Sequence, residues 1–153
     1  MAVGTPPQHT QFIINTLTPE TFVFAKGMFT LVMDSPDKFF IDSTSTTFKM
    51  TNSTSAQKTE IGLQMNGPSA EDLICIGELY NQCYNGGFML VTSVTENYWL
   101  NWANFSNIGG MLGVGYEESG SGFWASSGAM HPYFSLSLAP SANDWTWIPD
   151  APK

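Results

Sequence analysis

Gly4-Thr5-Pro6-Pro7-Gln8-His9-Thr10-Gln11-Phe12-Ile13-Ile14-Asn15-Thr16-Leu17-Thr18 is the stretch on which the fold turns. Gly4 supplies a permissive backbone, and the two prolines fix φ and withhold a hydrogen-bond donor, so Gly-Thr-Pro-Pro reads as a tight reversal. Phe12-Ile13-Ile14 is a short apolar run with strong β preference, closed by the polar Asn15-Thr16. The pattern predicts a hairpin turn leading into a strand whose C-terminal end presents polar side chains.

The rest of the chain suits that start. With 153 residues, 42% of them hydrophobic, there is material for one domain with a real core. Charged residues make up only 12%, so Ser, Thr, Asn, Gln and Gly must cover much of the surface, a composition common in secreted proteins. The net charge of −8 argues against nucleic acid and anionic membranes as partners. No apolar run is long enough to cross a bilayer, and no signal peptide is visible. A start inside a longer precursor is compatible with Met1.

Further strands are expected throughout. Thr21-Phe22-Val23-Phe24 and Phe29-Thr30-Leu31-Val32-Met33 have β character, and Asp34-Ser35-Pro36-Asp37 ends the second with turn formers. Phe40 to Lys49 reads as a polar Ser/Thr loop whose ends are pinned to the core by Phe40 and Phe48. Met50 to Lys58 is polar and expected to be exposed. Thr59–Met65 and Glu71–Gly77 look like two strands joined at Asn66-Gly67-Pro68-Ser69, because Asn-Gly is a strong hairpin signal. Gly86–Thr92 is a strand, while the aromatics of Asn97–Trp102 are too dense for a clear period. Ile108-Gly109-Gly110-Met111-Leu112-Gly113-Val114-Gly115 suits a buried strand passing close to other backbone. His131–Leu138 alternates cleanly and reads as a closing strand.

Four of these blocks, in this order, resemble the N-terminal lobe of pepsin-like aspartic proteases. Gly4-Thr5-Pro6-Pro7-Gln8 resembles the family's Gly-Thr-Pro-x-Gln turn, which precedes the catalytic Asp-Thr-Gly-Ser by six residues. Here six residues, His9 to Ile14, lead to Asn15-Thr16-Leu17-Thr18. Phe40 to Phe48 resembles the family's Phe-Asp-Pro-Ser-x-Ser-Ser-Thr-Tyr loop. Gly109 to Gly115 resembles Asp-Gly-Ile-Leu-Gly-Leu-Gly, with Gly109 in place of the Asp, and Phe134-Ser135 begins the closing strand. The resemblance implies an all-β fold, a single lobe of orthogonally packed sheets forming a partly open barrel, with at most one or two short helices. It covers residues 1–138, leaving 139–153 as an aromatic tail. The family's flap tyrosine has no counterpart, because no Tyr lies between Met1 and Leu79.

Aspartic proteolysis needs two carboxylates sharing a proton, so that one serves as acid and one as base. Asn15 cannot ionise, Leu17 replaces a glycine, and no second Asp-Thr-Gly or Asp-Ser-Gly exists. The expectation is therefore a catalytically dead, protease-like binding or structural module, secreted or at the cell surface, with a self-assembling subunit as one form of it. The alternative is the N-terminal part of a longer or two-chain aspartic endopeptidase that draws its carboxylate from elsewhere. Expected partners are a second copy or another protein chain, with glycans and without nucleic acid or membrane insertion.

Other candidate sites are few. Cys75 and Cys83 either close a short hairpin as a disulfide or remain two buried thiols; the surface-like composition favours the bridge. Asn52-Ser53-Thr54 and Asn104-Phe105-Ser106 are N-glycosylation sequons. Trp145 and Trp147, alternating along the tail, are interface candidates. His9 reads as an exposed hairpin residue and His131 as a loop or strand-start residue, while Glu117-Glu118 reads as a solvated pair. No metal or cofactor motif is present.

Overall fold

A computed structural model describes residues 1–26, 39–60, 63–76, 82–94, 108–115, 134–137 and 146–149. The architecture is all-β, as the pattern predicts, and the main sheet curls into a half-barrel. The strands are β1 (Ala2–Val3), β2 (Gln8–His9), β3 (Phe12–Asn15), β4 (Phe22–Phe24), β5 (Lys49–Glu60), β6 (Leu63–Ile76), β7 (Gln82–Val91), β8 (Ser93–Val94), β9 (Gly110–Gly113), β10 (Phe134–Ser137) and β11 (Thr146–Pro149). Asp42–Thr44 forms a short 3-10 turn. Phe29–Met33, Asn97–Trp102 and His131 lie outside those residues.

Nine strands form one sheet in the order β2-β1-β6-β7-β4-β9-β3, with β5 and β8 also pairing with β6. Strand β6 organises this sheet. Along one edge it takes β5 and then β1, with Ala2 opposite Cys75; along the other it takes β7 and then β8, with Met65 opposite Val94. The β10–β11 pair makes a separate two-stranded sheet.

Strand β6 also corrects the sequence reading. Asn66-Gly67-Pro68-Ser69 does not turn the chain but runs straight through the middle of β6, and the reversal falls between Glu60 and Leu63, which are paired. Gly67 serves a different need there. A Cβ at this position would lie 1.9 Å from the carbonyl oxygen of Leu90. The glycine lets β7 pass directly against β6, and a bond from the Thr92 N–H to the Asn66 carbonyl (2.9 Å) fastens the crossing. Met50 to Lys58, expected as a polar exposed stretch, forms most of β5, and its described side chains are exposed.

Side chains alternate across strands, and here both faces of the central strands are buried. Val23, Leu90 and Leu112 join Val3, Phe40, Ile74 and Phe88 in one cluster. Phe22, Phe24, Met89, Val91 and Met111 point the other way and join Phe39 and Met65 in a second. That two-sided burial is why β4, the Phe88-Met89-Leu90-Val91 end of β7 and Met111-Leu112 of β9 read as continuous apolar runs. Phe40 meets Phe48 at 5.9 Å and Phe88 edge-on at 6.1 Å, so the expected pinning of the Ser/Thr loop is present.

Candidate functional site

The site lies where β3 ends. Strand β3 runs parallel to β9 in the register Ile14 with Leu112 and Asn15 with Gly113. The chain then loops through residues 16–21 and returns as β4, which pairs with the other edge of β9. Strand β9 is thus threaded between the two arms of this loop. Its glycines make the passage possible: a Cβ on Gly113 would lie 2.4 Å from the Glu20 carbonyl oxygen, and one on Gly115 would lie 2.7 Å from Thr18 backbone. Bonds from Val114 N–H to the Asn15 carbonyl (2.8 Å) and from Gly115 N–H to the Thr18 carbonyl (3.0 Å) tie loop to strand. The Gly113 N–H also donates to Thr21 Oγ1 at 3.3 Å.

Within this frame the Asn15 side chain is fixed by two partners. The Leu17 N–H donates to Oδ1 at 3.0 Å, which leaves Nδ2 to donate to Thr18 Oγ1 at 2.7 Å. A backbone N–H can only donate, so this pairing sets the orientation of the amide. Asn15 is 9% exposed, whereas Leu17, at the crest of the loop, is 88% exposed and Ile14 is 36% exposed. Thr16 is exposed as well. The arrangement is a buried, neutral donor–acceptor pair beside an apolar prominence. An amide does not ionise near physiological pH, so Asn15 has no proton-transfer role of the kind a carboxylate performs.

These observations coincide with a family-level match: the model of the eukaryotic aspartyl protease family matches residues 1–133. The chain belongs to that family. The matched region is its N-terminal lobe, as the four sequence blocks imply. No curated protein sequence matches the chain significantly. Family membership, together with a disulfide, is compatible with an extracellular or lysosomal location.

That disulfide joins Cys75 of β6 to Cys83 of β7, which sit directly opposite one another in the antiparallel ladder, Cα to Cα 4.1 Å. The half-buried Tyr84 beside it packs on the first core cluster, and burial pushes its phenol well above the usual value. Asn52 lies exposed on β5 opposite Ser69, and Asn104 lies outside the described residues. Trp147 is on β11, its backbone opposite Leu136, while Trp145 and Glu117-Glu118 are outside the described residues. His9 is exposed on β2. Among the described residues no cluster of His, Cys, Asp and Glu could hold a metal, and no helix is long and apolar enough to cross a membrane.

Two residues that fasten the first turn and the Ser/Thr loop in place escape sequence reasoning. Gln8 spans from the first turn to the Ser/Thr loop, contacting Ile41 and Thr44. Asp72, 2% exposed, accepts from Thr47 Oγ1 and from the Leu73 N–H (2.7 Å) through Oδ1. Thr47 Oγ1 also lies 3.0 Å from Thr5 Oγ1, so the buried carboxylate anchors the Gly-Thr-Pro turn and the Ser/Thr loop to β6. Its Oδ2 is buried with no hydrogen-bond partner. The signal was an acid set immediately before the apolar run Leu73-Ile74-Cys75-Ile76.

Proposed function

We propose that this lobe is a non-catalytic, aspartyl-protease-like domain that acts by binding, on the secretory route or outside the cell. The observation that carries the proposal is Asn15. At the loop position where the family's acid would stand, a neutral amide has both of its polar ends engaged, by Leu17 N–H and by the Thr18 hydroxyl. Activating water requires a carboxylate that can take its proton, and none of Asn15, Thr16, Leu17 and Thr18 can supply one. Leu17 is the second support. With Ile14, which is 36% exposed, the 88% exposed Leu17 makes a small apolar prominence that suits a surface met by protein, either a second copy of the chain or a different partner. The 1–138 lobe and the tail bearing Trp145 and Trp147 form one binding module in this reading.

Two measurements test it. Incubated with denatured protein at acidic pH, the chain is expected to cleave nothing; pepstatin-sensitive cleavage would overturn the non-catalytic reading. In sedimentation over a range of concentrations, the chain is expected to associate and Leu17→Ser to weaken that association. A wild-type chain that stays monomeric at high concentration and a Leu17→Ser chain that is indistinguishable from it would overturn self-assembly.

A further inference from the structure

We propose that Asn52 is an N-glycosylation site and that its glycan shields β5 against strand addition along the edge that no described strand covers. This rests on the secretory reading above, since the modification is made on that route.

The Asn52-Ser53-Thr54 sequon has the hydroxyl residue at the required second position after the asparagine. A sequon by itself is weak, and three features of the fold strengthen this one. Asn52 is exposed. It sits on β5, a strand of 12 residues that pairs with β6 along one edge and has no partner strand on the other among the described residues. The β5–β6 register shifts on both sides of it, between Met50 and Asn52 and between Asn52 and Ala56. Such irregularities bend a strand away from its neighbour and loosen the ladder locally.

A long unpaired edge is a template for pairing with another chain, and proteins blunt such edges with bulges, charges or a cover. Strand β5 has the register shifts, but it also carries Met50, a 51% exposed methionine two residues before Asn52. A glycan on Asn52 supplies the cover. It is bulky and hydrated, and it grows from a residue of this strand, where it crowds the approach of an added strand. Association is thereby directed away from β5 and toward the end of the sheet that carries Ile14 and Leu17.

The transfer is chemically simple. Asn52 Nδ2 loses one proton to a base and bonds to the anomeric carbon of an oligosaccharide carried on a lipid pyrophosphate. The bond from that carbon to the pyrophosphate oxygen breaks, and the lipid pyrophosphate leaves with the electron pair.

The test uses the full chain behind a heterologous secretion signal in a eukaryotic host, which separates failure at Asn52 from failure of the native location. Peptide mapping of the secreted protein is expected to find Met50–Lys58 shifted by a glycan, with Asp left at Asn52 after enzymatic deglycosylation in heavy-oxygen water. Thr54→Ala should abolish the shift and Thr54→Ser should retain it. An unmodified Asn52 in folded, secreted protein overturns the site. For the capping role, the glycan is removed enzymatically from the folded wild-type protein, so that no variant has to fold. Sedimentation should then show stronger self-association; association equal to that of the glycosylated protein overturns the shielding role.

Discussion

The side-chain amide of Gln8 pairs with both backbone groups of Ile41: its Oε1 accepts from the Ile41 N–H at 2.8 Å and its Nε2 donates to the Ile41 carbonyl at 3.0 Å. One side chain thus imitates a strand partner and closes a gap of 33 residues between the first turn and the Ser/Thr loop. Replacing Gln8 by Ala leaves both Ile41 groups without this partner, and a hydrogen bond of this kind contributes about 1 kcal/mol net. Gln8→Ala is expected to lower stability by about 1–3 kcal/mol in urea unfolding. Gln8→Glu should be destabilising too, because a carboxylate faces the Ile41 carbonyl; a Gln8→Glu chain as stable as wild type would refute this account.

At Asn15 the prediction concerns hydrogen-bond polarity. Asn15→Asp keeps an acceptor for the Leu17 N–H, and the Thr18 hydroxyl only has to turn from accepting to donating. Near neutral pH its stability should lie within about 1 kcal/mol of wild type, whereas Asn15→Ala should cost about 1–2 kcal/mol. Asn15→Asp is also expected to remain without proteolytic activity in the isolated chain, since one carboxylate does not make a dyad. Denaturation midpoints and an acidic digestion assay check the two halves separately.

Gly67 and Gly87 make a matched pair. A Cβ on Gly67 meets the Leu90 carbonyl oxygen at 1.9 Å, whereas one on Gly87 has nothing within 4 Å. Gly67→Ala therefore forces β6 and β7 apart and is expected to cost about 3 kcal/mol or more, with loss of soluble protein. Gly87→Ala should stay within about 1 kcal/mol of wild type. Parallel expression and thermal melts decide it, and equal behaviour of the two would remove the close-approach explanation.

Tyr84 sets an alkaline limit. Burial raises its folded-state pKa above the unfolded value of about 10, so the folded chain holds the proton more tightly. Its contribution is fully present below that value and is lost as pH rises beyond it. The stability of the wild type should fall above about pH 10, and Tyr84→Phe should flatten that part of the profile. Urea midpoints measured across this range, with the disulfide intact, provide the check.

Much of the fold was legible because its signals are local. Pro6 and Pro7 cannot continue a strand, Phe12-Ile13-Ile14 favours one, and Cys75 and Cys83 flank a segment short enough to place them opposite each other. The loop from Asn15 to Thr18 and the glycines of β9 were visible in the same way, as neighbours along the chain. Asn66-Gly67 misled because a glycine reports only that a Cβ is unwelcome, and the reason can be a turn or a crossing backbone. At Gly67 the excluding atom belongs to Leu90, more than twenty positions away, and local pattern carries no trace of it. Gln8 and Asp72 were missed on the same grounds, since their roles are set by Ile41 and Thr47, residues brought to them by the fold.

The pairing of β3 with β9 joins Phe12 to Gly110 and Asn15 to Gly113, and the first strand waits for Ile74 and Cys75. For a nascent chain this fixes an order of events. Strands β1 and β2 can pair with each other as soon as both are made, but β3 has no partner until β9 has followed, so Ile13, Ile14 and their neighbours remain uncovered while the intervening strands are synthesised. Folding dominated by such distant pairings is slow, and β3 is a segment a chaperone would have to hold until β9 arrives.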